Sequence, residues 1–70
     1  MRKVYWTGKV PTHDDFGLPI RKLFYDARTE QGPWAIMSAT SYLIHGIKLG
    51  VGYGQAYEEQ TNGQWLKVAG

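Results

Sequence analysis

"GPWAIMSATSYLIHG", residues 32–46, decides how this chain folds. Gly32-Pro33 punctuates, and "WAIM" (34–37) is a short apolar run suited to a strand. Ser38 then stands where an N-cap belongs, its hydroxyl able to accept from an orphan N–H of a first helical turn. From Ser38 to His45 the pattern is helical. His45 suits the negative end of the helix dipole, and Gly46 is placed to close the helix at C′. A second reading competes: Pro33 fits the first position of a helix, giving one helix from Pro33 to His45. The strand-then-helix reading is preferred because Leu23, Phe24 and Tyr25 in "IRKLFYDAR" (20–28) need a strand partner. "TEQGP" (29–33) supplies the turn between them.

Working outward, "QAYEEQ" and "QWLKVAG" flank "TNG" (61–63). Asn-Gly between two patterned runs is a strong short-range hairpin signal, and it predicts Tyr57 and Trp65 paired across one face. "GIKLGVGYGQ" (46–55) alternates Ile47, Leu49, Val51 and Tyr53 with Lys48 and glycines. That gives an extended segment with one apolar edge and one edge of nearly bare backbone, open to another chain segment. "KVYWTGKV" (3–10) reads as a strand broken at Gly8, and "PTHDDFGLP" (11–19) as a loop.

Composition bounds what such a chain can be. Seventy residues make one domain, near the lower size at which a hydrophobic core suffices without staples. There is no cysteine, so neither a disulfide nor a thiolate metal site can help. The core must come from apolar content, 43% of the chain, rich in Trp6, Trp34, Trp65, five tyrosines, Phe16 and Phe24. A net charge of +2 is too small to declare a nucleic-acid partner. No apolar run of about 18 residues spans a membrane and no signal-peptide core follows the basic start. A cytoplasmic protein without a membrane partner is the expectation.

"VYWTG", "GLPI" (17–20), "FYDART" (24–29), "GPWAIM" (32–37), "HG" (45–46), "LGVGYGQAYE" (49–58) and "GQWLKVAG" (63–70) together carry a resemblance. The chain resembles a group of short, mostly uncharacterised zinc-ribbon or treble-clef-like proteins of bacteriophages and prophages. The resemblance covers most of the chain. It implies an α+β fold of β-hairpins with one short helix, in which two Cys-x-x-Cys knuckles hold zinc. By position the first pair falls on His13 and Phe16, the second on Ser38 and Ser41. Three of these four are not credible zinc ligands, so the resemblance implies a metal-free, cofactor-free relative with apolar packing where the metal stood. His13, Asp14, Asp15 and His45 are the remaining ligand set, without the usual spacing.

Catalytic readings fail on their own chemistry. Gly50-x-Gly52-x-Gly54 lacks the spacing and following helix of a dinucleotide fingerprint. Asp14-Asp15 has no nucleophile beside it and reads as turn chemistry. Ser38, Ser41 and His45 share a helical face without an orienting acid or oxyanion hole. The expectation is a non-enzymatic module that binds, and inhibits, a host protein. The binding face expected is the 46–57 segment and its rim, with Lys48, Tyr53, Tyr57 and Glu58. If Tyr53 and Tyr57 instead complete the core, the 11–19 loop with His13, Asp14 and Asp15 is the face to examine. A nucleic-acid-binding module acting on RNA or single-stranded DNA is the alternative, its scattered basic residues tracking phosphates and its tyrosines stacking on bases. The aromatic hairpin is equally suited to pack within one chain or to form the edge of a homodimer.

Overall fold

A computed structural model of the chain describes residues 2–70. The elements are β1 (Leu23–Arg28), β2 (Trp34–Ser38), α1 (Ala39–His45), β3 (Gly54–Glu59) and β4 (Trp65–Ala69). The strands form one antiparallel sheet in the order β2-β1-β3-β4, an α+β arrangement.

The competition over residues 33–45 is resolved in favour of strand, then helix. Phe24 stands opposite Ser38 and Arg28 opposite Trp34, with every residue between in register. The turn closes through Thr29, whose N–H and hydroxyl both donate to the Pro33 carbonyl at 3.0 and 2.8 Å. Ser38 is extended (φ −68°, ψ 171°) and its hydroxyl accepts from the Ser41 N–H at 3.2 Å, so the N-cap is as the sequence predicts. Gly46 differs. It is not left-handed but extended (φ −75°, ψ 160°), with its N–H donating to the Tyr42 carbonyl at 2.8 Å. Glycine is needed for space, because a Cβ there would run into the Tyr42 ring.

The second hairpin also forms, but its register corrects the expected aromatic pair. A bulge between Ala56 and Tyr57 puts Tyr57 opposite Lys67, and Trp65 opposite Glu59. The two rings meet through a third: Phe24 lies 5.3 Å from Tyr57 and 5.3 Å from Trp65, centroid to centroid. The expected strand at 3–10 shrinks to one bridge, Tyr5 to Leu66, flanked by Lys67 N–H to Val4 O and Trp6 N–H to Trp65 O. That pairing occupies part of the outer edge of β4. The extended segment expected over 46–55 is instead a bridge at Gly46, a turn at Gly50–Tyr53, and β3 from Gly54. Only Gly54 realises the close approach read from the glycines: at φ +134° its missing Cβ leaves room for the backbone of Ala27.

Opposite residues on neighbouring strands share a face and alternate residues change it, so the register sorts the side chains. One face carries Phe24, Tyr57 and Trp65, over which Trp6 lies edge-on, 5.2 Å from Phe24 and 5.3 Å from Tyr57. The other carries Tyr25, Ala27, Met37 and Ala56, covered by α1, where Tyr42 stacks on Tyr25 at 4.0 Å. Phe24, Ala27, Met37, Ala56 and Tyr57 form the buried core. It is a thin core divided by the sheet.

Candidate functional site

Three groups of side chains stand out: one buried and polar, one exposed and apolar, one mixed. The polar group is centred on Asp14, which is buried. One carboxylate oxygen accepts from the N–H groups of Phe16 and Leu18, both at 2.9 Å. The other accepts from the Ser38 N–H at 2.7 Å. Burial opposes ionisation here. It is outweighed by the Ser41 hydroxyl and by the backbone and side-chain donors of Ser38 and Leu18, which hold the carboxyl well below the usual carboxylate range. The Ser41 Oγ makes no hydrogen bond of good geometry, so we read it as a favourable dipole rather than a full partner. Beside it, the Asp15 carboxylate accepts from Ile36 N–H at 2.8 Å while its own N–H donates to the Ile36 carbonyl at 3.0 Å. The loop is thus tied along β2 and to the first turn of α1.

These bonds decide what the loop residues can offer. Asp14 faces inward, its oxygens committed to backbone donors, so it is corrected from a partner-binding residue to an internal tie. Asp15 is exposed yet bonded, and His13 is exposed beside the Thr12 hydroxyl at 3.1 Å. Phe16 stacks on the His45 ring at 4.1 Å, and His45 Nδ1 lies 3.2 Å from the Glu30 carboxylate, an approach that lowers the Glu30 pKa. Among the described residues no three His, Asp or Glu side chains converge to hold a metal ion.

The apolar group lies on the outer side of α1 and the segment that leaves it. Leu43 is 84% exposed, Ile44 62% and Ile47 51%. Tyr42 takes the position that packs on the sheet, and the two residues that follow it, Leu43 and Ile44, face water. Beyond them Val51, at the tip of the glycine turn, is fully exposed.

The mixed group collects some of the expected site residues and omits others. Lys48 Nζ stands 4.2 Å from the Tyr53 ring centroid, and the Arg28 guanidinium 5.6 Å from it. Tyr57, expected beside them, is corrected to the core: it is 7% exposed, and burial and the Asp26 carboxylate push its phenol pKa up. Glu58 alternates onto the opposite face of β3 and is exposed. Sequence reasoning missed Trp34 and Asp26 as site residues on the Phe24 face, and took Arg28 only as one of the scattered basic residues that could track phosphates. The signal was there, since Arg28 and Trp34 flank "TEQGP" and must oppose each other once the hairpin closes.

No protein-family model matches the chain, and neither does a curated protein or a solved structure. No helix among the described residues is long and apolar enough to cross a membrane.

Proposed function

We propose that this chain is a binding module that engages another protein through the outer side of α1, acting by binding and not by catalysis. The observation that carries the reading is the exposure of Leu43, Ile44 and Ile47 within five residues of one another. Exposed aliphatic residues in isolation need no explanation. Here two adjacent ones are held rigidly by a helix capped at both ends. Fully burying each against a partner contributes about 1.5–3 kcal/mol, and an apolar helix face laid into a groove is a recurring recognition mode. The partner chemistry that fits is an apolar groove.

The sequence resemblance supports the wider setting: a phage or mobile-element factor that binds and inhibits a host protein in the host cytoplasm. We further propose a metal-free treble-clef-like arrangement. Asp14 supports it, because its carboxylate ties the 13–16 loop to Ser38, between the two pairs of positions that the resemblance assigns to ligands.

Affinity capture from host lysate, run in parallel with a Leu43→Asp/Ile44→Asp double variant, tests the reading. The wild type should retain one protein stoichiometrically, and the double variant should lose it with its circular dichroism unchanged. Capture that survives the double variant removes α1 as the contact.

A further inference from the structure

The sheet face that buries Phe24 is only half covered. Across it the register places three rows: Ser38, Phe24 and Tyr57; then Ile36, Asp26 and Gln55; then Trp34 and Arg28, whose N–H donates to the Tyr53 carbonyl at 2.8 Å. Trp6 covers the first row. In the other two, Ile36, Asp26, Gln55 and Arg28 are half-buried. Trp34 is 49% exposed. Asp26, in the middle of the sheet, makes no ion pair or side-chain hydrogen bond among the described residues. A carboxylate at such a position is partly desolvated and has no internal partner that explains it.

We infer that this half-face is a binding site for single-stranded nucleic acid, with a guanine base on Trp34, Asp26 reading its Watson–Crick edge, and Arg28 and Lys48 holding the adjoining phosphates. The composition of the face selects this occupant. An aromatic cage for a cationic peptide is excluded at Tyr53, because Lys48 and Arg28 already stand against that ring. Two cations against one ring ask for an anion. An indole beside them asks for a flat, π-faced group, and every base offers one. An ionised carboxylate only accepts hydrogen bonds, and of the four RNA bases guanine presents two adjacent N–H donors on its pairing edge. Trp34 and Asp26 are diagonal neighbours across the β1–β2 pair, about 7–8 Å apart at the backbone. A purine lying on the indole therefore brings its edge over the next row. Flat sheet faces with exposed aromatics recognise single strands in this way. The site uses none of Leu43, Ile44 and Ile47 and does not depend on the reading that assigns them to a protein contact.

The test uses the whole chain and labelled short oligouridines carrying one central guanosine or one adenosine, followed by fluorescence anisotropy across a salt series. The guanosine oligomer is expected to bind several-fold tighter than the adenosine one. Trp34→Ala should weaken both about tenfold, and Asp26→Asn should abolish the difference between them. Lys48→Gln alters only an exposed side chain, so it keeps the test open if Trp34→Ala does not fold. It should reduce the slope of log K against log salt by about 0.7. Equal affinity for the two oligomers, indifference to both Asp26→Asn and Lys48→Gln, or binding of an acidic peptide in place of either oligomer would overturn the assignment.

Discussion

Asp14 reaches across 24 residues of sequence to accept the Ser38 N–H at 2.7 Å. Ser38 is the N-cap of α1 and the last residue of β2, so this one bond fixes the 11–19 loop, the end of the sheet and the start of the helix together. Hydrogen bonds to a charged acceptor are worth about 1.5–3 kcal/mol each, and a buried donor left without one carries its desolvation cost. Asp14→Ala strands three N–H groups, the Ser38 one fully buried, and should cost about 3 kcal/mol or more in urea unfolding. Asp14→Asn keeps an acceptor and should cost clearly less.

The same carboxylate sets an acid limit. Its pKa in the fold lies below the unfolded value of about 3.9, so its stabilisation is fully present above that value. It is lost as pH falls from there through the folded pKa. Asp26 has the opposite sign: burial and the Asp15 carboxylate raise it, so its ionised form opposes folding, and protonation on acidification relieves that. Unfolding followed from neutral pH downward should therefore show a steep loss below about pH 3.9 that Asp14→Asn flattens. Asp26→Asn should raise stability at neutral pH.

Tyr53 and Tyr57 are four residues apart and should behave differently. Tyr57 is packed between Phe24 and Trp6, and large-to-small changes of buried aromatics cost about 3–5 kcal/mol. In a domain this small each kcal/mol shifts Tm by about 4–8 °C, so Tyr57→Ala should leave little or no cooperative thermal transition. Tyr53→Ala, which removes a partly exposed ring flanked by two cations, should shift Tm by only a few degrees, about 1 kcal/mol.

Gly46→Ala should destabilise although the backbone there is ordinary. The added methyl meets the Tyr42 ring, and that ring is stacked on Tyr25. Overpacking of this kind costs about 1–3 kcal/mol. A near-ultraviolet circular dichroism change in the tyrosine band should accompany the loss in Tm.

The elements legible in the sequence are those set by local chemistry. The Ser38 cap, the turn at Thr29–Pro33 and the Asn62-Gly63 hairpin each depend on residues within a few positions of one another, and each is found. What escaped was set by long-range register. The bulge at Ala56 moved Trp65 away from Tyr57, and no short-range signal marks that bulge. Residues 46–53 alternate as a strand would, but three glycines let the chain turn before it pairs. Asp14 read as turn chemistry because its decisive partner lies beyond the loop. For the candidate surfaces, Lys48 and Tyr53 were legible as a pair. Leu43 and Ile44 were legible only as helix residues, since their exposure follows from which face Tyr42 occupies.

The most direct test of α1 as the contact surface is amide hydrogen exchange of the chain alone and in complex with the protein it captures. Protection on binding should concentrate in residues 42–48, over Leu43, Ile44 and Ile47, with β1 and β3 unchanged. Protection confined to the 13–18 loop or to β4, with 42–48 exchanging as in the free chain, would contradict it.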